Sequence, residues 1–139
     1  MSRHPYLPIG SLRAAVCYPS APGAFPDERI EAAMRTFGLD ALATRLDDDE
    51  PWEQKLSAHE QQRLALARGL LQQPDWIVFD EAMSDLDEAM EAKVYEVLAQ
   101  QLPNAAVLSV AGRPGALERL PRRWALRESA GGHVVLEAT

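Results

Sequence analysis

The chain has 139 residues, about the size of one domain, and its 47% hydrophobic and 25% charged residues are ordinary for a soluble globular protein. The formal net charge of −7 argues against a nucleic-acid or anionic-membrane binder, because those proteins concentrate Lys and Arg on one face. No apolar run approaches the ~20 residues of a membrane span, and the first residues lack the apolar stretch of a secretory signal.

The single cysteine, Cys17, cannot form an intrachain disulfide, which suits a reducing compartment. Cys17 could be a reactive thiol or a small apolar residue. It follows Ala14, Ala15 and Val16, and this apolar setting favours the second interpretation.

The first part of the chain predicts short helices separated by turns rich in proline and glycine. Residues 1–10 contain two prolines and a glycine, which indicates an extended or turn segment. The predicted helices are 12–16 with Ser11 as N-cap, 28–37 with Asp27 as N-cap, and 40–45. Ile30, Met34 and Phe37 share one face of the second helix, and Gly38 ends it.

Residues 47–50 form a run of four acids. They could hold a cation, but neither the turn glycine nor the distant bidentate Glu of a calcium loop is present. We therefore expect a solvated loop. Trp52, just after it, is predicted to anchor packing.

A longer helix is predicted from a capping box at Ser57 and Glu60 to about Leu71. Leu64, Ala67 and Leu71 form its core stripe. The polar residues expected to keep the helix wet are Gln61, Gln62, Arg63 and Arg68.

An α/β arrangement follows. The apolar run at residues 76–79 predicts a strand buried on both faces, as in parallel sheets. A helix from Asp87 to about Gln101 and a strand over 105–110 complete a right-handed βαβ unit. One or two helical turns over 114–120 and a hairpin of 124–128 with 133–137 around Gly131-Gly132 end the chain.

The acidic pair Asp80 and Glu81 at the tip of the first strand is the strongest chemical signal. A carboxylate at this end of a parallel strand can hold hydrated Mg²⁺, and its neighbour can polarise a water for attack on a phosphoryl group. The alternative is a pair of surface acids that end a strand.

Motifs on both sides of this pair resemble the ATPase domain of ATP-binding cassette (ABC) transporters. Leu56-Ser57-Ala58-His59-Glu60 is similar to the family signature, LSGGQ or LSGGE. Ile77 to Ala82 resembles Walker B, and Ser84-Asp85-Leu86-Asp87 resembles the D-loop, SALD. His4 to Arg13 is similar to the segment after the Q-loop. Its PYLP-x-G-[ST]-LR form indicates the branch that fuses permease and ATPase in one half-transporter, like peroxisomal fatty-acyl transporters and bacterial relatives.

The resemblance implies a partial P-loop NTPase fold of the α/β class, with a helical subdomain, a C-terminal βαβ core and a terminal hairpin. By analogy, residues 1–72 hold the segment after the Q-loop and the helical subdomain, and residues 73–139 hold the C-terminal part of the ATPase core. It also implies site roles: catalysis by Glu81, Mg²⁺ binding by Asp80, and ATP contact by Ser57, Ala58, His59, Glu60 and Asp85.

The chain departs from the family pattern in several places. No G-x-x-x-x-G-K-[ST] motif occurs, so we expect the Walker A half to precede residue 1. Arg3 stands at the position where the family has its Q-loop glutamine, and Gly112 stands at the position of the switch histidine. Ala58 and His59 replace the signature glycines, which allow a backbone to approach phosphate closely. We therefore expect this chain alone neither to bind ATP tightly nor to hydrolyse it.

Two functions of different classes stay open. The chain is either a fragment of an ABC ATPase that powers transport once a Walker A half completes it, or a degenerate, non-hydrolytic ABC-like module used for interaction or regulation. The intact Asp80 and Glu81 favour the first. The lost signature glycines and switch histidine favour the second.

The resemblance also implies partners: a membrane-spanning transporter subunit or domain, a second ATPase domain in a dimer, and the Walker A half, with no nucleic acid. It implies a cytoplasmic location, peripheral to the inner membrane. Because the strands at 77–79 and 107–108 would lack neighbours, we also expect self-association, with exchange of elements between copies.

Overall fold

The computed structural model describes residues 1, 4–83, 86–110, 120–128 and 134–138. Its helices are α1 (Leu12–Cys17), α2 (Asp27–Thr36), α3 (Asp40–Ala43), α4 (Trp52–Lys55), α5 (Ala58–Gln72) and α6 (Glu88–Gln101). Its strands are β1 (Trp76–Asp80), β2 (Ala106–Val110), β3 (Trp124–Glu128) and β4 (Val134–Ala138). None of the described helices is long and apolar enough to cross a bilayer. The helical turns predicted at 114–120 fall almost wholly outside the described residues, as does the turn at Gly131-Gly132.

The N-caps of the first two helices differ from each other. Ser11 caps α1 as predicted, because its Oγ accepts the Ala14 N–H at 3.2 Å. The prediction of Asp27 as the cap of α2 is wrong: Pro26 holds the N-cap position, and Asp27 is the first helical residue. The Asp27 carboxylate instead pairs with Arg13, while its charge still complements the positive end of the helix dipole.

Arg13 also joins α1 to the acidic loop, since its Nε donates to Asp47 Oδ1 at 2.8 Å. These hydrogen bonds to Asp27 and Asp47 raise the pKa of the Arg13 guanidinium above its ordinary value. Farther along the loop, Arg45 pairs with Asp48 at 2.7 Å and Glu50 at 2.8 Å. Residues 47–49 are exposed, which agrees with the predicted solvated loop.

Helix α5 lies at the centre of the packing, against α1 and α2. Leu64, Ala67 and Leu71 are buried as predicted, but the expectation that Gln62 and Arg68 face water is wrong. Gln62 is 2% exposed. Arg68 donates to the carbonyl oxygens of Ala15, at 2.6 and 3.1 Å, and Tyr6, at 3.0 Å. Burial lowers the pKa of its guanidinium.

The predicted βαβ unit is confirmed by the parallel pairing of β1 with β2, in which Ile77 lies beside Val107. Asp87 caps the connecting helix α6 by accepting the Met90 N–H at 2.7 Å. On one face of β1, Ile77 and Phe79 are buried in the same apolar core as the helices.

The opposite face of this sheet is uncovered, so the prediction of burial on both faces is wrong. Trp76 is 71% exposed, and Val78 is 44% exposed beside Leu108. The physical reason is that no element among the described residues covers that side. The predicted terminal hairpin is confirmed: β3 and β4 are antiparallel, with Leu126 opposite Leu136.

Candidate functional site

The carboxylates of Asp80 and Glu81 are exposed at the C-terminal tip of β1. Glu81 has a φ of +49°, in the left-handed region, which costs a non-glycine residue roughly 1–2 kcal/mol. Its N–H donates to Val110 O at 3.1 Å, while the Asp80 N–H donates to Met1 O at 2.9 Å. A strained acidic residue held at this end of a parallel sheet is typical of a functional position.

The residues around this tip hold its conformation. Immediately after Glu81, the side chains of Ala82 and Met83 are 5% and 6% exposed, so the chain turns back into the core. Phe79, just before the tip, packs edge-on against the Tyr95 ring at 6.5 Å between centroids. This packing supplies the constraint that a left-handed Glu requires.

Asp80 and Glu81 offer the kind of oxygen ligands that Mg²⁺ uses. Proteins usually hold this ion with one or two carboxylates, together with water and substrate phosphates. In the part of the chain that the structure describes, no three His, Cys, Asp or Glu side chains form a complete metal site.

The N-terminus of α5 forms the second predicted group. The capping box is confirmed: Ser57 Oγ accepts the Glu60 N–H at 3.3 Å, and Glu60 Oε2 accepts the Ser57 N–H at 2.9 Å. The same Glu60 oxygen accepts the Ser57 hydroxyl at 2.7 Å. Both donors of Ser57 are therefore engaged within the box, although the exposed first turn at Ala58 and His59 keeps the positive end of the helix dipole.

The residue that anchors this N-terminus is not predicted by the sequence pattern. Gln61 donates through Nε2 to the carbonyl oxygens of Glu53, at 2.9 Å, and Leu56, at 3.0 Å, which ties α4 to the first turn of α5. Trp52, predicted as an anchor, is 2% exposed, and its Nε1 donates to Asp48 O at 3.2 Å. No local pattern distinguishes Gln61 from a solvated glutamine, because its acceptors are backbone carbonyls.

The structure brings the predicted residues into two groups: the tip of β1 and the first turn of α5. Among the described side chains, no hydrogen bond or ion pair joins Ser57 or Glu60 to Asp80 or Glu81. Asp85 and the positions of the Q-loop and switch residues, Arg3 and Gly112, lie outside the described part. A polar pocket of about 220 Å³ lies at the other end of the sheet, lined by Gln73 to Asp75 and Gln101 to Ala105, and is no part of either group.

The chain has sequence relatives among ABC transporter proteins. The sequence model of the family described as ABC transporter matches residues 16–84. An uncharacterized ABC transporter ATP-binding protein of Haemophilus influenzae is 33% identical over 136 residues, which cover 98% of this chain and 23% of that protein. The lysosomal cobalamin transporter ABCD4 of Mus musculus is 37% identical over 142 residues, which cover 95% of this chain and 23% of that protein. The chain thus spans less than a quarter of the length of these curated relatives.

A solved structure has the same fold. A bacterial Atm1-family ABC exporter with ATP bound superimposes with a TM-score of 0.70, over 84% of this chain and 21% of the exporter chain. The sequence identity is 24%, so the likeness concerns the fold alone.

Proposed function

Because this chain belongs to the ABC transporter family of ATP-binding proteins, we propose that it is the C-terminal part of an ATPase domain that powers membrane transport. The observation that carries the proposal is the strained acidic tip of β1. Asp80 and Glu81 stand at the C-terminal end of a parallel strand, and Glu81 is held in a left-handed conformation.

The two carboxylates take different roles in the proposal. Asp80, at the end of the strand, holds Mg²⁺ through oxygen, and the ion would neutralise charge on the bound phosphates. Glu81, exposed one residue further, orients and polarises the water that attacks the terminal phosphate. Because phosphoryl transfer depends mainly on positioning, the fixed backbone at Glu81 is as important as its charge.

Nucleotide binding requires groups beyond this sequence. We propose that a Walker A segment supplies the lysine and backbone N–H groups that cradle the phosphates. The further proposed partners are a membrane-spanning subunit or domain and a second ATPase domain. Residues 1–72 and 73–139 would act as the helical subdomain and the C-terminal core, in a cytoplasmic position at the inner membrane.

The signature segment supports a second candidate, a non-hydrolytic ABC-like module. Ala58 and His59 replace the two glycines, and the Glu60 carboxylate takes both donors of Ser57. A phosphate approaching this turn would meet the His59 side chain and the competing negative charge of the Glu60 carboxylate. Contact of ATP with Ser57, Ala58, His59, Glu60 and Asp85 therefore remains a proposal within the first candidate.

A chimera tests the proposal. This chain would replace the matching C-terminal segment of the H. influenzae relative, whose remaining part would supply the missing half. We expect the chimera to bind and hydrolyse MgATP. Glu81→Gln should lower the hydrolysis rate about 10²-fold or more while binding stays, because only the group that activates water is lost.

Glu96→Gln is the matched control, because Glu96 is also exposed and lies in the C-terminal half of α6, the end that neighbours the start of β1. It should leave both binding and turnover unchanged. Unaltered turnover in Glu81→Gln would remove Glu81 from its proposed role. Binding without any turnover in the unsubstituted chimera would favour the non-hydrolytic candidate.

A further inference from the structure

The pocket of about 220 Å³ at the start of the sheet, here called the helix-end pocket, lies beside the C-terminal ends of α5 and α6. It is lined by residues 73–75, which lead from α5 to β1, and by residues 101–105, which lead from α6 to β2. The Ala106 N–H donates to Asp75 O at 2.8 Å and holds these two segments together. Because the strands are parallel, both segments lie at the opposite end of the sheet from Asp80 and Glu81.

The polar side chains of the helix-end pocket present oxygen acceptors. They are one carboxylate and three carboxamides: Asp75, Gln73, Gln101 and Asn104. Within the described ranges, no hydrogen bond or ion pair engages any of these four side chains. None of the described residues that line the pocket is Lys, Arg or His. The lining therefore carries one negative charge and no positive charge.

The two helix ends add to this negative character. The last carbonyl groups of a helix act as roughly half a negative charge, which a basic side chain in the last turn often offsets. Neither α5 nor α6 has a basic residue in its last turn. Arg29 of α2 donates to Leu71 O at 3.2 Å, but it does not line the pocket. The potential in the helix-end pocket therefore favours a cation.

The size and lining of the pocket favour an organic ammonium compound over a metal ion. A Ca²⁺ ion takes six to eight oxygen ligands and usually several carboxylates, whereas this pocket has one carboxylate. One water occupies only about 30 Å³, so a single ion would leave most of the pocket unfilled. An ammonium group has three donors and no acceptor, which matches the oxygen acceptors. The remaining lining is apolar and suits methylene groups: Pro74, Leu102, Pro103 and Ala105.

We infer that the helix-end pocket binds a linear aliphatic diamine or polyamine. One ammonium group pairs with Asp75, and a second donates to the carboxamide and last-turn carbonyl oxygens at the end of α6. The methylene chain between them lies against the proline rings. The inference does not depend on the ATPase role, because the pocket shares no residue with the tip of β1 or the first turn of α5.

An NMR titration of the full chain with 1,6-diaminohexane tests the inference. We expect saturable binding with a dissociation constant of roughly 1 mM, and the shifted amide signals should map to residues 73–75 and 101–105. The uncharged analogue 1,6-hexanediol has the same length and should not bind, because it lacks the positive charges. A chain that does not bind the diamine, or that binds both compounds equally, would overturn the inference.

Two matched substitutions separate the pocket from the general attraction of a cation to a chain with a net charge of −7. Asp75→Asn should raise the dissociation constant of the diamine roughly 5-fold, because one ammonium group loses its ion pair. Asp40→Asn removes the same charge from α3, outside the pocket, and should change the constant less than ~2-fold. Both carboxylates are exposed, so circular dichroism should show unchanged folding. Equal effects of the two substitutions would contradict the inference.

A lysine placed in the pocket provides a second test. Gln101→Lys puts an ammonium group at the end of α6, where it would occupy the site and complement the helix end. It should abolish diamine binding and raise the midpoint of thermal unfolding. Unchanged diamine binding in this variant would place the ligand elsewhere and overturn the inference.

Titration of the chimera separates this inference from the proposed function. The chimera contains the completing half, and the diamine should bind it as it binds the chain alone, whether or not the chimera hydrolyses ATP. Loss of diamine binding in the chimera would mean that the completing half covers the pocket, and it would overturn the inference without affecting the ATPase proposal.

Discussion

Glu81 adopts a φ of +49° directly after β1, a backbone conformation that L-residues other than Asn and Asp rarely take. The sequence predicts carboxylates at this strand tip, because the apolar run ends in Asp80 and Glu81. It does not predict the turn, since the conformation is disfavoured locally and is held by distant groups. These are the Val110 carbonyl and the apolar core into which the following residues, Ala82 and Met83, pack.

Cys17 gives a prediction at the same scale. Its side chain is fully buried, and burial raises the pKa of its thiol. Both effects suppress the thiolate, which is the reactive form. We expect Cys17 in the native chain to react with a thiol reagent at pH 8 far more slowly than in the chain unfolded by urea. Equal rates in the two states would restore the reactive-thiol interpretation.

At the scale of elements, the accuracy of the sequence predictions depends on how local their causes are. The α5 cap was predictable because Ser57 and Glu60 are three residues apart and satisfy each other. The burial of the two faces of β1 was not predictable, because the exposure of Trp76 and Val78 depends on which other elements cover them. Likewise, burial of Arg68 depends on α1 and the N-terminal segment, which supply its carbonyl acceptors.

Substitution of Ser57 tests the contribution of this cap to stability. Ser57→Ala should lower the free energy of unfolding by about 1 kcal/mol, because the Glu60 N–H loses its acceptor at the helix end. Ser57→Gly is the matched control and should cost only a few tenths of a kcal/mol, since water can reach the freed backbone groups. Urea denaturation measures both. No loss of stability in Ser57→Ala would mean that the hydroxyl does not stabilise α5.

At the scale of the whole molecule, one apolar core includes residues of the helices and of the β1–β2 sheet, and the described residues supply only part of the proposed ATP site. The tip of β1 carries two of the acidic residues that give the chain its net charge of −7. Such a surface repels a nucleotide unless Mg²⁺ and a lysine-bearing phosphate cradle offset the charge. In the proposal, a completing segment supplies this cradle. The chain spans less than a quarter of the length of these curated relatives.

Titration of a fluorescent ATP analogue with Mg²⁺ into the full chain and into the chimera tests the proposed division of the site most directly. The chimera should bind with micromolar affinity and lose it when its P-loop lysine is replaced. The chain alone should show no saturable binding, with or without Mg²⁺. Micromolar, Mg²⁺-dependent binding by the chain alone would contradict the account, because Asp80, Glu81 and the α5 N-terminus would then suffice to hold the nucleotide.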